Sequence, residues 1–348
     1  MSELRKDPVT GDWVIISPER ARRPTDFVKE AANVPGSPGA CPFCPGNESM
    51  TPPEVLTLPE RTPADGAGWQ VRVVPNKFPA VEAVKAPSGS AGGLFERLDG
   101  LGAHEVIIET PDHGATLAAL PESAIESVLQ AYQARARELQ SDKRFPYVLI
   151  FKNHGSEAGA TLEHGHSQLI ALPLVPRRVQ EELEGARAYF SRRGRCVYCE
   201  IIEKERAAGK RVVLENEDFI ALAPYASRFP WEIWLLPRRH RSRFEEASES
   251  ERASLARALK GALAALNKRL SNPPYNLVVH SAPHGEASDD DYHWHVEVMP
   301  SLSRVGGFEW GTGVHINSIP PEEVARNLRE LKDLRPGDRS PKAKPEDA

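Results

Sequence analysis

Cysteine and long apolar runs are both scarce in this sequence of 348 residues. No apolar run approaches the roughly 20 residues that a membrane-spanning helix needs, and the N-terminus, MSELRKDPVTGDW, lacks the apolar segment of a secretory signal. Neither sign of charge dominates, because a formal net charge of −5 gives no reason to expect a nucleic acid or an anionic membrane as partner. We therefore expect a soluble globular protein of the cytoplasm.

The few cysteines that are present form two Cys-x-x-Cys pairs. They are CPFC, with Cys41 and Cys44, and CVYC, with Cys196 and Cys199. In a cytosolic chain of this size such pairs indicate metal sites more than disulfides. A redox role or incidental buried thiols are the alternative, which is less favoured because no cysteine lies outside the pairs.

Periodic patterns predict helices and strands that alternate irregularly along the chain. Apolar residues at helical spacing predict helices over 121–140, 248–270 and 320–334, and a weaker pattern predicts one over 175–194. Short strands are predicted at HEVIIE, PYVLIFK, SQLIAL, DFIALAP, WEIWLLP, YNLVVH and HVEVMP. Because no strict strand–helix–strand alternation appears, we expect an α+β fold with a mostly antiparallel sheet.

The same order of features occurs twice. Each half contains Cys-x-x-Cys, a Phe-Pro turn, a strand that ends near a histidine, a helix, a further strand, and a strand that carries His-x-His. This order predicts two duplicated units in tandem, residues 1–175 and 190–334. The polar, proline-rich tail 335–348 is expected to be disordered.

The duplicated pattern predicts one zinc site in each half, since zinc favours four Cys and His ligands in a tetrahedron. For the first half the ligands are predicted to be Cys41, Cys44, His113 and His164. For the second half they are predicted to be Cys196, Cys199, His240 and either His293 or His295. Aligning the halves on Pro173 and Pro300 places His293 at the position of His166 and His295 at the position of Gln168. We assign His293 as the fourth ligand of the second site. Taken alone, His113 would be read as a turn residue.

The segment TLEHGHSQLIALP carries a His-x-His-x-Gln pattern. On a strand, alternate residues share a face, which predicts that His164, His166 and Gln168 lie on one side and Gly165 and Ser167 on the other. The small glycine permits a phosphate or the backbone to come close. A neutral imidazole can attack phosphorus, and a glutamine amide can donate to the phosphoryl oxygens. The pattern is therefore compatible with nucleotidyl transfer through a covalent histidine, or with metal ligands or surface histidines alone.

The chain as a whole resembles the galactose-1-phosphate uridylyltransferase family of the histidine-triad superfamily. The matching segments are DPVTGDWVIISPERARRP, CPFCPGNE, VRVVPNKFPA, GAHEVIIETPDH, FKNHGSEAGATLEHGHSQ and HWHVEVMPSLSRVGGFEWGTGVHIN. The resemblance implies a homodimer, histidine-triad-like units that form a half-barrel sheet, bound Zn²⁺, and a role in galactose metabolism. It implies ping-pong transfer of UMP from UDP-glucose to galactose 1-phosphate.

The resemblance also implies roles for individual residues. His166 would be the nucleophile, His164 would ligate zinc while its carbonyl group orients His166, and Gln168 would hold the phosphoryl oxygens. Related hydrolases have a third histidine at the position of Gln168. The substrate contacts implied are Arg20 and Arg23 from the partner subunit, Asn76 and Phe78 at the uridine, Asn153, Thr161 and Ser167 around the phosphates, and Arg304, Phe308 and Glu309 at the hexose.

Two departures from the commonest family pattern leave an alternative open. Gly165 stands where that pattern has proline, and Glu297 stands where some members have a histidine of an iron site. With CVYC present, the second half resembles the branch that includes ADP-glucose phosphorylases, whose second site is zinc. An ADP-sugar phosphorylase of the same fold is thus the alternative function. A zinc-ribbon module for nucleic acid, or the fold with its activity lost, is less favoured, since basic stretches are short and His166 and Gln168 are intact.

Overall fold

The computed structural model describes residues 2–22, 41–59, 68–83, 89–90, 93–284 and 289–330. Arg23 and the tail 335–348 lie outside this part of the chain. The strands are β1 (Glu3–Lys6), β2 (Trp13–Ile16), β3 (Leu56–Leu58), β4 (Val71–Pro75), β5 (Gly89–Ser90), β6 (Arg97–Leu98), β7 (Ala103–Ile108), β8 (Tyr147–His154), β9 (His166–Leu172), β10 (Val212–Glu215), β11 (Phe219–Leu222), β12 (Ile233–Pro237), β13 (Tyr275–His280), β14 (His295–Pro300) and β15 (His315–Asn317). The helices are α1 (Glu122–Gln140), α2 (Arg177–Arg193), α3 (Val197–Ala208), α4 (Glu249–Leu270), α5 (Gly307–Thr312) and α6 (Pro321–Glu330).

The predicted helices are present, and their ends have local causes. In α4, the Ser248 side chain accepts from the Glu251 backbone N–H, and the Glu251 side chain accepts from the Ser248 N–H. Helices α2 and α3 end at Gly194 and Gly209, which adopt the left-handed conformation that glycine allows without strain. Helix α3, which begins directly after Cys196, was not predicted.

The main sheet confirms the expected α+β class with antiparallel pairing. Its ten strands run in the order β10-β11-β12-β14-β13-β8-β9-β7-β4-β3, and every neighbouring pair is antiparallel. This order is symmetric about the β13–β8 pair: β8 corresponds to β13, β9 to β14, and β7 to β12. Two duplicated units would produce such an order, and the division at residues 1–175 and 190–334 stays a prediction.

One face of the sheet is covered by helices along its whole length. The large core there includes Ile125 and Tyr132 of α1, Leu259 and Leu263 of α4, and Val324 of α6. The first half of the sheet thus has only its opposite face available for a ligand site.

The opposite face is covered over the second half of the sheet. Its core joins Val9, Leu183 of α2, Tyr198 of α3 and Trp234 of β12. Strands β1, β2 and β15 form a small separate sheet in which β15 runs parallel to β2. On the first half the same face leaves His104 and Gln168 half-buried.

The covering segment is held close by one glycine of α2. A Cβ atom added at Gly185 would lie 1.9 Å from the carbonyl oxygen of Val9. Only a residue without a side chain allows the N-terminal segment to lie directly on the helix. No helix among the described residues is long and apolar enough to cross a membrane.

Candidate nucleotidyl-transfer site and metal centres

The first Cys/His cluster gathers four residues from three separate segments. They are Cys41, Cys44, His113 and His164, whose ligand atoms all lie within 4.8 Å of one another. The Cys44 sulfur lies 3.3 Å from His113 Nδ1 and 3.6 Å from His164 Nδ1. In a zinc tetrahedron, with Zn–S of about 2.3 Å and Zn–N of about 2.0 Å, sulfur and nitrogen ligands lie about 3.5 Å apart. The donor set and its spacing therefore fit zinc.

The outer nitrogen of His164 fixes the tautomer that a metal needs. His164 Nε2 lies 2.7 Å from the carbonyl oxygen of Thr110, which can only accept a hydrogen bond. The proton of the neutral ring is therefore on Nε2, and the lone pair of Nδ1 points at Cys44. His164 itself is fully buried.

The second cluster repeats this arrangement with Cys196, Cys199, His240 and His293. The Cys199 sulfur lies 3.3 Å from His240 Nδ1 and 3.6 Å from His293 Nδ1. Both outer nitrogens face carbonyl oxygens, His240 Nε2 that of Asp289 at 2.6 Å and His293 Nε2 that of Pro237 at 2.8 Å. The structure thus brings His293, rather than His295, to the cysteines.

The alignment of the two halves on their closing prolines is wrong by two residues. His166 Nδ1 contacts the carbonyl oxygen of His164 at 2.8 Å, and His295 Nδ1 contacts that of His293 at 3.1 Å. His295 is therefore the counterpart of His166, and Glu297 is the counterpart of Gln168.

His166 is the first residue of β9 and is 7% exposed. Because the carbonyl oxygen of His164 can only accept, His166 Nδ1 carries the proton and Nε2 keeps its lone pair. No described residue bonds Nε2. Burial, and next the nearby Lys152 ammonium, lower the pKa of His166 below its ordinary value. Phe43 packs edge-on against the ring, with centroids 5.4 Å apart.

The strand pattern predicted that His164 shares the face of His166 and Gln168, and this prediction is wrong. The strand begins only at His166, so His164 lies before it and turns its ring into the metal cluster. Of the two uses left open for Gly165, the structure shows close approach of the backbone. A Cβ atom added there would lie 3.1 Å from the carbonyl oxygen of Ala115.

Gln168 does share the face of His166, and two residues flank it. Its side-chain Oε1 lies 2.8 Å from His104 Nε2, and Asn76 Nδ2 lies 3.1 Å from the same nitrogen. Phe78, 82% exposed, follows Asn76 and donates its backbone N–H to the Asn76 side chain. Asn76 thus lies beside the His104 that contacts Gln168, and the assignment of Asn76 and Phe78 to the uridine stays a prediction.

Ser167 faces the opposite side, which corrects its assignment to the phosphates. Its hydroxyl is fully buried between Tyr132 and Glu109 and hydrogen bonds both. Beneath it, the Lys152 ammonium lies 2.8 Å from a Glu109 carboxylate oxygen and donates to the His166 carbonyl oxygen at 2.9 Å. This buried ion pair was not predicted.

Asn153 lies where the two halves of the sheet join. It is paired with Asn276 of β13, whose Nδ2 donates to Asn153 Oδ1 at 2.8 Å. Thr161 is exposed in the loop that leads to His164. These positions are compatible with the phosphate contacts that the resemblance implied for Asn153 and Thr161.

The remaining predicted substrate residues lie around the small three-stranded sheet. Arg20 belongs to a short 3-10 turn after β2, and Arg304 is exposed after β14. Phe308 is 48% exposed on α5, and Glu309 accepts the Gly306 backbone N–H at the start of that helix. Among the described residues, no hydrogen bond or ring contact joins this group to His166 or Gln168.

The second half has a different chemistry at the equivalent positions. Phe151 lies opposite Gln168 and Val278 opposite Glu297, which makes His280 the counterpart of Asn153. Although burial opposes its charge, the carboxylates of Glu182 and Glu297 raise the pKa of His280 to about 10.

The space around His295 is too small for a nucleotide. The cavity there holds about 20 Å³, room for about one water molecule, and it is lined by Asp7, Arg228 and Glu297 among others. Ligand pockets for molecules of nucleotide size are of order 300 Å³ or more. The half-buried His104 and Gln168 beside His166 in the first half are thus the better candidates for contact with a nucleotide.

Comparisons with known proteins agree with this geometry. Residues 1–176 match the family model described as the N-terminal domain of galactose-1-phosphate uridyl transferase, and residues 116–341 match a domain of unknown function, DUF4921. An ADP-glucose phosphorylase of Arabidopsis thaliana is 38% identical, over 94% of this chain and 93% of that protein. A galactose-1-phosphate uridylyltransferase of Thermotoga maritima is 32% identical, over 95% and 99%.

Comparison with solved structures finds the same two kinds of relative. The crystal structure of the Arabidopsis thaliana ADP-glucose phosphorylase with bound ADP-glucose has a TM-score of 0.81 at 37% identity, and covers 95% of this chain and 98% of that chain. A uridylyltransferase structure has a TM-score of 0.73 at 32% identity and covers 96% and 100%. Since the family model spans half of the chain and the relatives align over nearly all of it, the chain belongs to the galactose-1-phosphate uridylyltransferase family.

Proposed function

We propose that the protein moves a nucleotidyl group from a nucleotide sugar to a phosphate acceptor through a covalent adduct on His166. The observation that carries the proposal is the pairing of an imidazole lone pair with an amide on one strand face. The His164 carbonyl fixes the proton of His166 on Nδ1, so Nε2 is free to attack. Gln168 lies two residues further along β9, where its N–H groups can meet the charge that develops on the phosphoryl oxygens.

The reaction has two displacement steps at the same phosphorus. First, the His166 Nε2 lone pair forms a bond to the α-phosphorus, and the bond from that phosphorus to the bridging oxygen breaks. Sugar 1-phosphate leaves with the bonding electrons. An oxygen of the acceptor phosphate then attacks the α-phosphorus, and the phosphorus–nitrogen electrons return to His166. Gln168 cannot act as an acid or base, which favours a phosphate acceptor over water.

The first metal cluster would support this chemistry by position. Cys41, Cys44, His113 and His164 would hold zinc, whose contribution when bound is to keep the His164 ring and backbone in place. The carbonyl group of His164 then orients His166. Cys196, Cys199, His240 and His293 would hold a second zinc far along the sheet, in a purely structural role.

The nature of the donor separates two versions of the proposal. UDP-glucose with galactose 1-phosphate as acceptor follows from the resemblance to the uridylyltransferases. ADP-glucose with inorganic phosphate as acceptor, which yields ADP and glucose 1-phosphate, is favoured by the greater similarity to the Arabidopsis thaliana phosphorylase, 38% against 32% identity. Both versions use the same His166 adduct.

Mass spectrometry of the intact protein tests the adduct and the donor together. The protein is mixed briefly with UDP-glucose or ADP-glucose, beside His166→Ala and the surface control His284→Ala. An AMP-sized or UMP-sized adduct that His166→Ala lacks and His284→Ala keeps would identify the base. Adding inorganic phosphate or galactose 1-phosphate then shows which acceptor discharges it. No adduct with either donor in the zinc-loaded protein would contradict the proposal.

We also propose that the active protein is a homodimer whose partner completes the site. Arg20 follows β2, Arg304 follows β14, and Phe308 and Glu309 belong to α5; none makes a described bond to His166 or Gln168. A second copy could present them to that site. The test mixes the His166→Ala protein with the Arg304→Ala protein. If the site is shared between subunits, each mixed dimer has one site in which both His166 and Arg304 are intact. Recovery to about a quarter of wild-type activity is expected, and no recovery in demonstrated mixed dimers would exclude sharing.

A further inference from the structure

His104 lies between the backbone and Gln168 on the open face of the first half. The backbone N–H of Ala80 donates to His104 Nδ1 at 3.1 Å, and His104 Nε2 lies 2.8 Å from Gln168 Oε1. In the sheet, Val106 is directly opposite Gln168 and His104 is opposite Ile170, so His104 is the diagonal neighbour of Gln168 on the same face.

These contacts determine where the ring carries its proton. Because a backbone N–H can only donate, His104 Nδ1 accepts and has no proton. The neutral ring then carries its proton on Nε2 and donates it to Gln168 Oε1. Asn76 Nδ2 is 3.1 Å from the same Nε2, and its amide orientation is set by the Phe78 N–H that donates to Asn76 Oδ1. Asn76 therefore packs beside the ring without bonding Nε2.

The consequence concerns the amide of Gln168. An amide can turn over and present either its oxygen or its NH₂ group to a ligand. With Oε1 bound to His104, the NH₂ group has no acceptor among the described residues. Two donors thus remain for the phosphoryl oxygens, whereas a reversed amide would set its oxygen against their negative charge.

The second half has no contact equivalent to that between His104 and Gln168. Glu232 precedes β12 at the position that corresponds to His104, and Glu297 corresponds to Gln168. Arg228 hydrogen bonds both carboxylates. Neither carboxylate carries an N–H group, so the amide donor of Gln168 has no counterpart at the equivalent position of the second half.

We propose that His104 is a positioning residue that holds the Gln168 amide with its NH₂ group toward the phosphoryl group during transfer to His166. The proposal rests on the proposed nucleotidyl transfer. His104 touches neither the nucleotide nor His166 in this role, and it acts through the orientation of Gln168.

Two variants of His104 separate positioning from packing. His104→Phe keeps a ring but has no donor, whereas the amide of His104→Gln places an N–H group near the former Nε2. With the donor that labels wild type, His104→Phe should slow adduct formation at saturating nucleotide sugar by about tenfold or more, given the cost of losing an oriented donor. Affinity for the nucleotide sugar should change by less than about threefold. His104→Gln should recover most of the rate.

The same substitution in a Gln168→Ala background provides the decisive control. If His104 acts through Gln168, His104→Phe should slow Gln168→Ala by no more than about twofold further, because coupled residues are not additive. An equal further loss in that background would overturn the proposal. So would a wild-type rate in His104→Phe.

The tautomer of His104 can be measured without any enzymatic assay. Nitrogen-15 NMR of the folded wild-type protein distinguishes a protonated from an unprotonated ring nitrogen, and His104→Phe assigns the signal. A proton on Nε2 is expected, and a proton on Nδ1 would overturn the orientation of Gln168. If the tautomer is as expected but wild type forms no adduct, nucleotidyl transfer fails, and the positioning role fails with it.

Discussion

The imidazole rings of His280 and His295 stack face to face, with centroids 4.6 Å apart and planes 6° from parallel. The two rings have opposite electrostatic surroundings. Burial and the neighbouring His280 charge lower the pKa of His295 to about 4, while Glu182 and Glu297 raise that of His280 to about 10. A charged ring therefore lies on a neutral one, in the half of the sheet that the N-terminal segment covers.

This arrangement predicts how stability depends on pH. The native state keeps the His280 proton up to about pH 10, whereas an unfolded histidine releases it near pH 6.5. The stabilisation by His280 is complete below about pH 6.5 and is lost as the pH rises toward 10. The free-energy difference between wild type and His280→Gln should thus shrink by up to about 1.4 kcal/mol per pH unit in that window.

Urea unfolding at about pH 6 and about pH 9.5 measures this difference. Groups that do not contact His280 titrate alike in both proteins and cancel. The surface substitution His284→Gln is the matched control for the loss of an imidazole ring. A difference between wild type and His280→Gln that is constant across the two pH values would contradict the charged state of His280.

The buried ion pair beneath β9 predicts a second stability effect. Lys152 and Glu109 are almost fully buried, 2.8 Å apart. Lys152→Met leaves the carboxylate unpaired and should destabilise the protein by about 3–5 kcal/mol. The exposed control Lys143→Met should change stability by less than about 0.5 kcal/mol. Adding Glu109→Leu to Lys152→Met should recover much of the loss, and a double variant as unstable as Lys152→Met would refute this account.

The contact between α2 and the N-terminal segment predicts opposite effects at two helical glycines. Alanine at a helix interior normally gains about 1 kcal/mol over glycine. At Gly185 the new methyl group would meet the Val9 carbonyl oxygen, so Gly185→Ala should lower thermal stability. At Gly261 the nearest atom is the flexible end of the Leu214 side chain at 3.2 Å. Gly261→Ala should be neutral or stabilising, and equal melting temperatures for the two variants would argue against the close contact.

The two metal clusters predict a stoichiometry of two zinc ions per chain. Metal analysis should show that Cys41→Ser and Cys196→Ser each retain about one zinc. Both should have lower melting temperatures, because structural zinc contributes directly to folding. Only Cys41→Ser should strongly reduce adduct formation, since that cluster holds His164. Two ions retained in either variant, or equal losses of adduct, would contradict the separate roles.

Local patterns were sufficient for α1, α2, α4 and α6, but not for α3 and α5 or for the arrangement of the sheet. The stripe of apolar residues and the capping box of α4 lie within one segment, whereas the pairing of β8 with β13 joins residues more than 120 positions apart. The error in aligning the halves has a similar origin. The second histidine precedes the closing proline by seven residues in HSQLIALP but by five in HVEVMP, so the pattern His-x-His was the better anchor.

The buried ion pair of Glu109 and Lys152 was not predicted, because charged residues at the end of a strand are usually exposed. Glu109 and Lys152 each stand at the end of an apolar run, where a surface position is the usual expectation. His104 stands at the start of HEVIIE, where nothing in the strand pattern distinguishes it. The two-residue spacing of His104 and Val106 indicates only that they share a face of the strand. The diagonal contact of His104 with Gln168 depends on the register between β7 and β9, which the sequence pattern does not give.

The junction of the two halves has a consequence for how the duplicated copies can change over time. Asn276 belongs to the second half, yet its side chain donates a hydrogen bond to Asn153 of the first half, which the proposed function places near the phosphates. A mutation at Asn276 in the second half therefore alters the proposed site of the first half directly. Selection for the proposed transfer would therefore act on residues of both halves, and the two halves would not change independently.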